Sequence, residues 1–252
     1  MTSFQRHKVI LFDHDGTVVD SEIIALESAW KLTDEVACEF PGGEFYDLPE
    51  FIKRFAGKPY REILMQIYAD SPTRLTEADI ARLVIEEENR AIDCLKRAAT
   101  ATEGTPEVLS YLRNHEYKFA LVSNSSLRRL NACLNASGLT SCFPSDRIFS
   151  AHDSLPVPRT KPLPDIYLYA AKNMNVDISD CIAVEDSISG VKSAIAAEIP
   201  QVVGYVGGTH ISASERSDRT SMLRSIGAHL IIERMPDLLQ FLLEETAVKS
   251  AT

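Results

Sequence analysis

The sequence predicts an α/β fold in which a parallel sheet is flanked by helices and interrupted by an all-helical insertion. Short apolar runs rich in Val, Ile and Phe alternate with segments of helical periodicity, and this alternation is typical of a parallel sheet covered by helices. Between residues 19 and 97 the alternation stops, and helical patterns follow one another without a convincing strand. The 252 residues, 45% of them hydrophobic, suffice for a core in each part.

Five apolar runs are the predicted strands, because each is short and rich in β-branched or aromatic residues. They span residues 9–12, 119–122, 181–184, 201–206 and 229–232. The helices predicted between them include residues 106–114, 125–137, 164–173 and 189–197. Gly138 directly follows the second of these helices, at the position where a glycine commonly ends a helix.

The insertion contains four predicted helices, at residues 21–36, 45–55, 59–68 and 76–97. Turn-forming residues separate the first three, namely Pro41, Gly42, Gly43 and Gly57. We therefore expect two domains. Residues 1–18 and 98–252 would form the α/β domain, and residues 19–97 would form the helical domain.

Composition argues against several classes of function. The formal net charge of -10 disfavours nucleic acid and anionic membrane surfaces as partners. No apolar run approaches the roughly 20 residues needed to cross a bilayer, and residues 1–8 contain no apolar signal region. The 5 cysteines are scattered without a C-x-x-C pair, so we expect reduced thiols, a cytoplasmic protein and no zinc binding through the cysteines.

Charged and polar residues follow the predicted strands at the edge where open parallel sheets place their ligands. They are Asp13 and Asp15 after the first strand, Ser123 and Asn124 after the second, Glu185 and Asp186 after the third, and Lys161 ahead of the helix predicted at residues 164–173. Carboxylates at neighbouring strand ends repel one another unless a counter-ion binds. A hard divalent cation with oxygen ligands removes that repulsion, and Mg2+ is the usual choice beside phosphate.

This combination of groups suits phosphoryl transfer. A carboxylate can attack phosphorus and form an aspartyl-phosphate, and a second carboxylate two residues further on can protonate the leaving oxygen and later activate water. The metal ion, Lys161 and the Ser123 hydroxyl would supply the charge neutralisation that phosphoryl transfer requires. Backbone N–H groups after Ser123, at the start of a helix, would help to hold the phosphate.

Four segments resemble, in order, the four motifs of the haloacid dehalogenase superfamily: FDHDGTVVDSE, LVSNSS, TKPLPDIY and AVEDSISGV. More narrowly, they are similar to its phosphatase and β-phosphoglucomutase branch, whose members carry a helical cap inserted after the first motif. The resemblance covers nearly the whole chain and implies a Rossmann-like core domain. His14 is a departure, because the family more often has an apolar residue or cysteine there, with a side chain that usually points away from the site.

The resemblance implies a role for each residue that matches the first three motifs. Asp13 would be the nucleophile and a metal ligand. Asp15 would be the general acid/base, with its backbone carbonyl on the metal. Ser123, Asn124 and Lys161 would bind the phosphate, although Ser123 and Asn124 can equally cap the helix that follows them.

The resemblance also implies a metal site and a substrate-closing cap. Asp186 would complete the Mg2+ site. Glu185 beside it would either bind the metal directly or contact another residue that does. Lys58 and Arg61 lie in a segment similar to the cap loop that reaches the active site, and the alternative for them is exposed surface. Residues 207–210, GGTH, follow a predicted strand and are candidates to line the site, although their two glycines favour a plain turn.

We therefore expect a Mg2+-dependent phosphatase that acts on a small phosphorylated metabolite, such as a sugar phosphate or a phosphorylated hydroxy acid. We expect a monomer or small homo-oligomer without nucleic-acid or membrane partners. A β-phosphoglucomutase-like phosphomutase would use the same aspartyl-phosphate and stays open as an alternative. A non-catalytic phosphate-binding or regulatory protein is a third hypothesis, and it predicts the loss of at least one of the four charged residues, Asp13, Asp15, Lys161 and Asp186, that are all present.

Overall fold

A computed structural model describes the backbone of residues 9–250 and the side chains of residues 9–244. The chain divides into two compact units. One comprises the described residues up to Asp20 together with those from Thr100 onward, and the other comprises Ser21–Ala99. None of the described helices is long and apolar enough to cross a membrane.

The first unit contains a six-stranded parallel sheet flanked by helices, which confirms the predicted fold class. The strands of the chain are β1 (Val9–Phe12), β2 (Val19–Asp20), β3 (Thr100–Ala101), β4 (Phe119–Ser123), β5 (Ile148–Ser150), β6 (Cys181–Glu185), β7 (Gln201–Tyr205) and β8 (Leu230–Ile232). The sheet has the order β5-β4-β1-β6-β7-β8, and β2 pairs with β3 in a separate antiparallel ladder. β5 is not among the predicted strands, because only two apolar residues, Ile148 and Phe149, precede the polar Ser150.

Six α-helices belong to the first unit within the described residues. They are α5 (Thr105–Asn114), α6 (Leu127–Ala136), α7 (Asp165–Asn173), α8 (Ile188–Ala196), α9 (Arg216–Ile226) and α10 (Asp237–Ser250). Gly138, two residues beyond α6, has a φ of +73°, and the backbone N–H of Leu139 donates to the carbonyl of Leu134. A glycine adopts this left-handed conformation without the strain that a side chain would add, so Gly138 ends the helix as the sequence predicts.

The core of the first unit explains why its strands read as continuous apolar runs. All four residues of β1 are buried, and β4 and β6 are buried along their whole length. A strand in the middle of a parallel sheet has no solvent-facing side, so alternation with polar residues is not required. Polar residues therefore begin only where these strands end, and this places the candidate site at one edge of the sheet.

The second unit is entirely helical and has its own apolar core. Its helices are α1 (Glu22–Glu39), α2 (Leu48–Phe55), α3 (Tyr60–Ile67) and α4 (Glu77–Ala98). Phe51, Phe55, Leu64 and Leu83 are buried together in a cluster formed only by residues of this unit. Because a shared apolar cluster is the main source of stability for packed helices, this unit has an apolar core of its own.

A reciprocal cap fixes the start of α4. The backbone N–H of Asp79 donates to Thr76 Oγ1 at 3.2 Å, and the backbone N–H of Thr76 donates to Asp79 Oδ2 at 2.9 Å. These bonds satisfy two donors that the first turn of a helix leaves without helical partners. The cap also separates the helix from the turn that precedes it.

We predict that Thr76→Ala lowers the stability of the helical unit by about 1 kcal/mol, because the variant removes the side-chain acceptor of the cap. Thr76→Ser keeps the acceptor and serves as the matched control. Urea unfolding followed by far-ultraviolet circular dichroism measures the difference. Equal unfolding midpoints for the two variants would contradict this role of Thr76.

Candidate active site

Three strand ends lie side by side and position the first residues of the site. β1 lies between β4 and β6, with Phe12 paired to Leu121 on one side and to Val184 on the other. The backbone N–H of Asp13 donates to the Val184 carbonyl at 2.9 Å, so the chain leaves β1 against the end of β6. Because the strands are parallel, the residues that follow them meet at the same edge of the sheet.

Lys161 is buried at this edge, and three oxygen acceptors hold its ammonium group. Nζ donates to Asp13 Oδ1 at 2.6 Å, to Glu185 Oε1 at 2.6 Å and to the Val122 carbonyl at 2.7 Å. The side chain is only 2% exposed, and these bonds use all three ammonium hydrogens. Burial by itself lowers the pKa of Lys161, but the carboxylates of Asp13 and Glu185 outweigh burial and hold that pKa above its ordinary value.

The two carboxyl groups that contact Lys161 have raised pKa values, because both are buried. Burial raises the pKa of Asp13 well above its ordinary value, and although Lys161 lowers it, the negative charges of Glu185 and Asp186 raise it further. Burial also raises the pKa of Glu185, against the opposing effect of Lys161. Burial is the largest cause of both shifts, and the negative charge of Asp186 adds to each of them.

The donor set fits a divalent cation. One carboxylate oxygen from each of Asp13, Glu185 and Asp186 lies within 4.8 Å of the others, and all three residues are buried. Hard cations prefer such oxygen ligands, and three carboxylates facing the single charge of Lys161 leave a deficit that a divalent cation would neutralise. A bound cation would favour the ionised carboxylates of Asp13 and Glu185 and would so lower their raised pKa values.

Glu185 is positioned by residues on two helices. The hydroxyl of Tyr167, the third residue of α7, donates to Glu185 Oε1 at 2.5 Å, and the Lys161 ammonium lies 5.4 Å from the centre of the Tyr167 ring. The other oxygen, Oε2, lies where a Cβ on Gly190 of α8 would be, only 1.7 Å from that ideal position. Gly190 is therefore required for the Glu185 carboxylate to lie against the first turn of α8.

His210 holds Asp186 from the opposite side. Its Nε2 lies 3.0 Å from Asp186 Oδ2, and the two side chains are 5% and 6% exposed. The imidazole fits between two glycines, because a Cβ on Gly16 or on Gly208 would come within 2.6 Å and 2.7 Å of its Cε1 atom. This contact brings residues 207–210 to the site, which is the less favoured of the two sequence interpretations of this segment.

The two carboxylate oxygens of Asp15 have different neighbours. Oδ2 accepts from Ser125 Oγ at 2.7 Å and lies 3.5 Å from Ser123 Oγ, next to the proposed phosphate-binding hydroxyl. Oδ1 lies 3.4 Å from Nη2 of Arg129 and 3.4 Å from Nδ1 of His14. Asp15 is thus held from the loop after β4 and from the first turn of α6.

Asn124 connects two loops of the site. Its Oδ1 accepts the backbone N–H of Lys161 at 2.8 Å, so the side chain fixes the backbone from which the lysine extends. The helix cap that follows β4 is provided by Ser126, whose hydroxyl accepts from the Arg129 N–H, and not by Ser123 or Asn124. The Ser123 hydroxyl instead accepts the backbone N–H of Ser125 at 3.0 Å.

Lys58 and Arg61 lie in the helical unit. Lys58 Nζ donates to Gln66 Oε1 at 3.0 Å and lies over the Phe55 ring, 5.5 Å from its centre. Arg61 Nη2 forms an exposed ion pair with Glu77 at 2.6 Å. An exposed pair of this kind contributes little stability, so it would not prevent Arg61 from binding a ligand.

Four residues around the site carry no role in the sequence prediction, and they are Tyr167, His210, Ser125 and Arg129. Tyr167 stands within the TKPLPDIY segment, but only the helical geometry of α7 turns its hydroxyl toward Glu185. Ser125 lies two residues beyond β4, close enough to the strand end to be a candidate from the sequence. Arg129 lies further along the chain, in the first turn of α6, and its distance from the strand end hides its role in the sequence.

The chain belongs to the haloacid dehalogenase-like hydrolase family, which it matches over residues 7–198. It is similar to 6-phosphogluconate phosphatase of Escherichia coli strain K12, with 30% identity over 192 residues that cover 76% of this chain and 80% of that protein. β-Phosphoglucomutase of Bacillus subtilis strain 168 is 27% identical over 247 residues, which cover 94% of each chain. These matches agree with the resemblance carried by the four motifs.

Solved structures give the same result. A haloacid dehalogenase-like protein of unknown function from Agrobacterium tumefaciens matches with a TM-score of 0.76 and 32% sequence identity, over 95% of this chain and 99% of that chain. Because both sequence and fold agree, this chain is a hydrolase of the family.

We predict that His210→Leu weakens Mg2+ binding by about 10- to 100-fold, the usual cost of removing a residue that orients a metal ligand. His210→Gln keeps a donor near the position of Nε2 and should retain most of the affinity. Calorimetric titration of each variant with Mg2+, without substrate, provides the measurement. Unchanged affinity in His210→Leu would show that Asp186 does not depend on this contact.

Proposed function

We propose that this protein is a Mg2+-dependent phosphatase that hydrolyses a small phosphorylated metabolite through an aspartyl-phosphate formed on Asp13. The proposal rests above all on the buried 2.6 Å contact between Asp13 Oδ1 and Lys161 Nζ. A lysine in this place favours the ionised carboxylate, and it also offers positive charge to an approaching phosphate. The similarity to 6-phosphogluconate phosphatase supports the same class of reaction.

Asp13 and Asp15 divide the chemistry between them. In the first step the Asp13 carboxylate attacks phosphorus, the bond from phosphorus to the ester oxygen breaks, and Asp15 gives its proton to the leaving oxygen. In the second step the Asp15 carboxylate takes a proton from water, and the resulting hydroxide attacks phosphorus. The bond between phosphorus and Asp13 then breaks, which releases phosphate and restores both carboxyl groups.

The surrounding residues position these two carboxyl groups and neutralise charge. Ser125 and Arg129 hold Asp15 through its separate oxygens. Lys161 and the Ser123 hydroxyl would bind the phosphate oxygens, together with backbone N–H groups at the start of α6. A Mg2+ ion held by Asp13, Asp15, Glu185 and Asp186 would add positive charge beside the phosphate.

The proposed substrate is a sugar phosphate or a phosphorylated hydroxy acid. 6-Phosphogluconate, the substrate named for the similar Escherichia coli enzyme, belongs to both classes. A screen of phosphorylated sugars and sugar acids for phosphate release, with Mg2+ and with a chelator, tests substrate class and metal dependence together. Activity that survives the chelator would contradict the metal requirement.

A phosphomutase is the second candidate, because the match to β-phosphoglucomutase extends over 94% of both chains. In that reaction the aspartyl-phosphate returns its phosphoryl group to a sugar hydroxyl and not to water. Incubation with hexose 1-phosphates distinguishes the two. Free phosphate as the main product supports the phosphatase, whereas an isomerised sugar phosphate supports the mutase.

We predict that Asp13→Asn lowers kcat at least about a thousand-fold, because the amide is a poor nucleophile toward phosphorus. Asp146→Asn, which changes an exposed carboxylate of the same unit, is the matched control and should retain full activity. Circular dichroism checks that both variants fold. Asp13→Asn with more than a tenth of the native rate would contradict the covalent mechanism.

We also predict a specific kinetic effect for Lys58, which we propose as a ligand for the non-reacting part of the substrate. Lys58→Met should raise KM for the preferred substrate about tenfold and leave kcat within about twofold, the pattern expected when uniform binding is lost. Lys53→Met, at an exposed lysine of the same unit, is the control. An unchanged KM would assign Lys58 to the surface, and Arg61→Met can be tested in the same way.

A further inference from the structure

His14 is a fully buried residue whose imidazole has no evident function in the proposed reaction. Its exposure is 0%, and within the described part of the chain neither ring nitrogen has a hydrogen-bond partner. A buried polar group without a partner costs free energy, so a case of this kind calls for an explanation. An ion that uses the imidazole as a ligand is one such explanation.

Two further ligand atoms lie beside His14. Its Nδ1 is 3.4 Å from Asp15 Oδ1, and the Cys133 thiol of α6 belongs to the same cluster, in which one ligand atom from each residue lies within 4.8 Å of the others. Zinc bonds of about 2.0 to 2.3 Å in tetrahedral geometry place neighbouring ligands roughly 3.3 to 3.6 Å apart. The nitrogen and oxygen already have this spacing, and the sulfur needs a shift of roughly an ångström at most.

The backbone explains why the imidazole stays in this position. The carbonyl of His14 accepts the N–H groups of Val18 and Val19 at 3.0 Å and 3.1 Å, which fixes the tight turn after β1. These bonds fix the backbone of His14 within the turn that also carries Asp15. Cys133 is 0% exposed on α6, so its thiol stays on the buried side of that helix.

Against the sequence-based expectation of no zinc binding through the cysteines, we propose that His14, Asp15 and Cys133 form a second metal site, which binds Zn2+. This site is separate from the carboxylate cluster of Asp13, Glu185 and Asp186. The ligand types differ between the two clusters. Imidazole and thiolate favour zinc and similar borderline cations, whereas a set of carboxylates favours Mg2+. A fourth ligand would be water, because Asp15 is the member of the cluster that is partly exposed.

The charges of Cys133, Asp15 and Arg129 determine how favourable Zn2+ binding is. Burial raises the pKa of the Cys133 thiol to about 12, with the Asp15 charge adding to the effect, so the cation must displace the thiol proton to solvent. Once the proton has left, thiolate and carboxylate bring two negative charges to the cation. The guanidinium of Arg129, 3.4 Å from Asp15 Oδ1, opposes the cation with one positive charge. Thiolate, carboxylate and guanidinium together leave one net negative charge, which attracts a cation.

Zinc at this site would inhibit the proposed reaction. Asp15 Oδ2 faces Ser125 and Ser123, but Oδ1 would be a zinc ligand. A carboxylate bound to zinc is held in its ionised form and no longer gives a proton to the leaving oxygen. The inhibition rests on the proposed function, whereas the binding of the metal does not.

The first experiment measures the binding directly, with Co2+ as the spectroscopic probe and excess Mg2+ present to occupy the carboxylate cluster. Native protein should develop a thiolate-to-cobalt absorption band in the near ultraviolet, and Zn2+ should abolish it. Cys133→Ala and His14→Leu should lack the band. Cys181→Ala, which changes another fully buried cysteine outside the cluster, should keep it. Absence of the band in the native protein would overturn the proposal.

The second experiment measures inhibition by Zn2+ at saturating Mg2+. Cys133→Ala should keep the native rate without zinc and require at least a tenfold higher Zn2+ concentration for half-inhibition, with Cys181→Ala again as control. Equal inhibition of native protein and Cys133→Ala would mean that zinc acts by displacing Mg2+, and it would overturn the inhibitory site. If the native protein releases no phosphate from any substrate, the proposed function fails, but the cobalt spectrum still tests the metal site.

Discussion

The buried ammonium of Lys161 is the interaction on which the site depends. To bury a charge costs several kcal/mol unless excellent partners replace water. Here the partners come from the ends of three adjacent strands: Asp13 after β1, Val122 in β4 and Glu185 at the end of β6. The lysine itself lies on a loop that belongs to none of these strands. One charge therefore links four segments of the chain and fixes the geometry of the edge at which they meet.

The single positive charge of Lys161 does not balance the carboxylates of Asp13, Glu185 and Asp186. Glu185 is already bound by the Lys161 ammonium and the Tyr167 hydroxyl, and Asp186 by His210, yet the carboxyl pKa values of Asp13 and Glu185 remain raised. Hydrogen bonds orient these carboxylates but do not neutralise them. We propose that a cation and a phosphate stabilise this arrangement, and that binding of either strengthens binding of the other.

Sequence alone was sufficient for features that depend on position along a strand. β1, β4 and β6 begin as continuous apolar runs, and the first polar residue after each run marks the edge of the sheet. The positions of Asp13, Ser123 and Glu185 at that edge could therefore be predicted. The contacts of Tyr167 and His210 were not, because they depend on the direction of a helix face and the path of a loop. Asn124 illustrates the limit: its residue type suits phosphate, but its side-chain oxygen accepts an N–H that lies 37 residues away.

Because the chain is divided into two units, the residues around Asp13 do not by themselves identify the substrate. The whole of Ser21–Ala99 packs around its own apolar cluster, and the strands at its two ends, β2 and β3, pair with each other through Asp20 and Thr100. Closing the insertion at its base lets its length and sequence vary at little cost to the sheet, since loop closure has already been achieved. Residues that carry the chemistry and residues that select the substrate can therefore change separately. For this reason the geometry around Asp13 defines a class of reaction, whereas the choice among phosphorylated metabolites depends on residues outside that geometry.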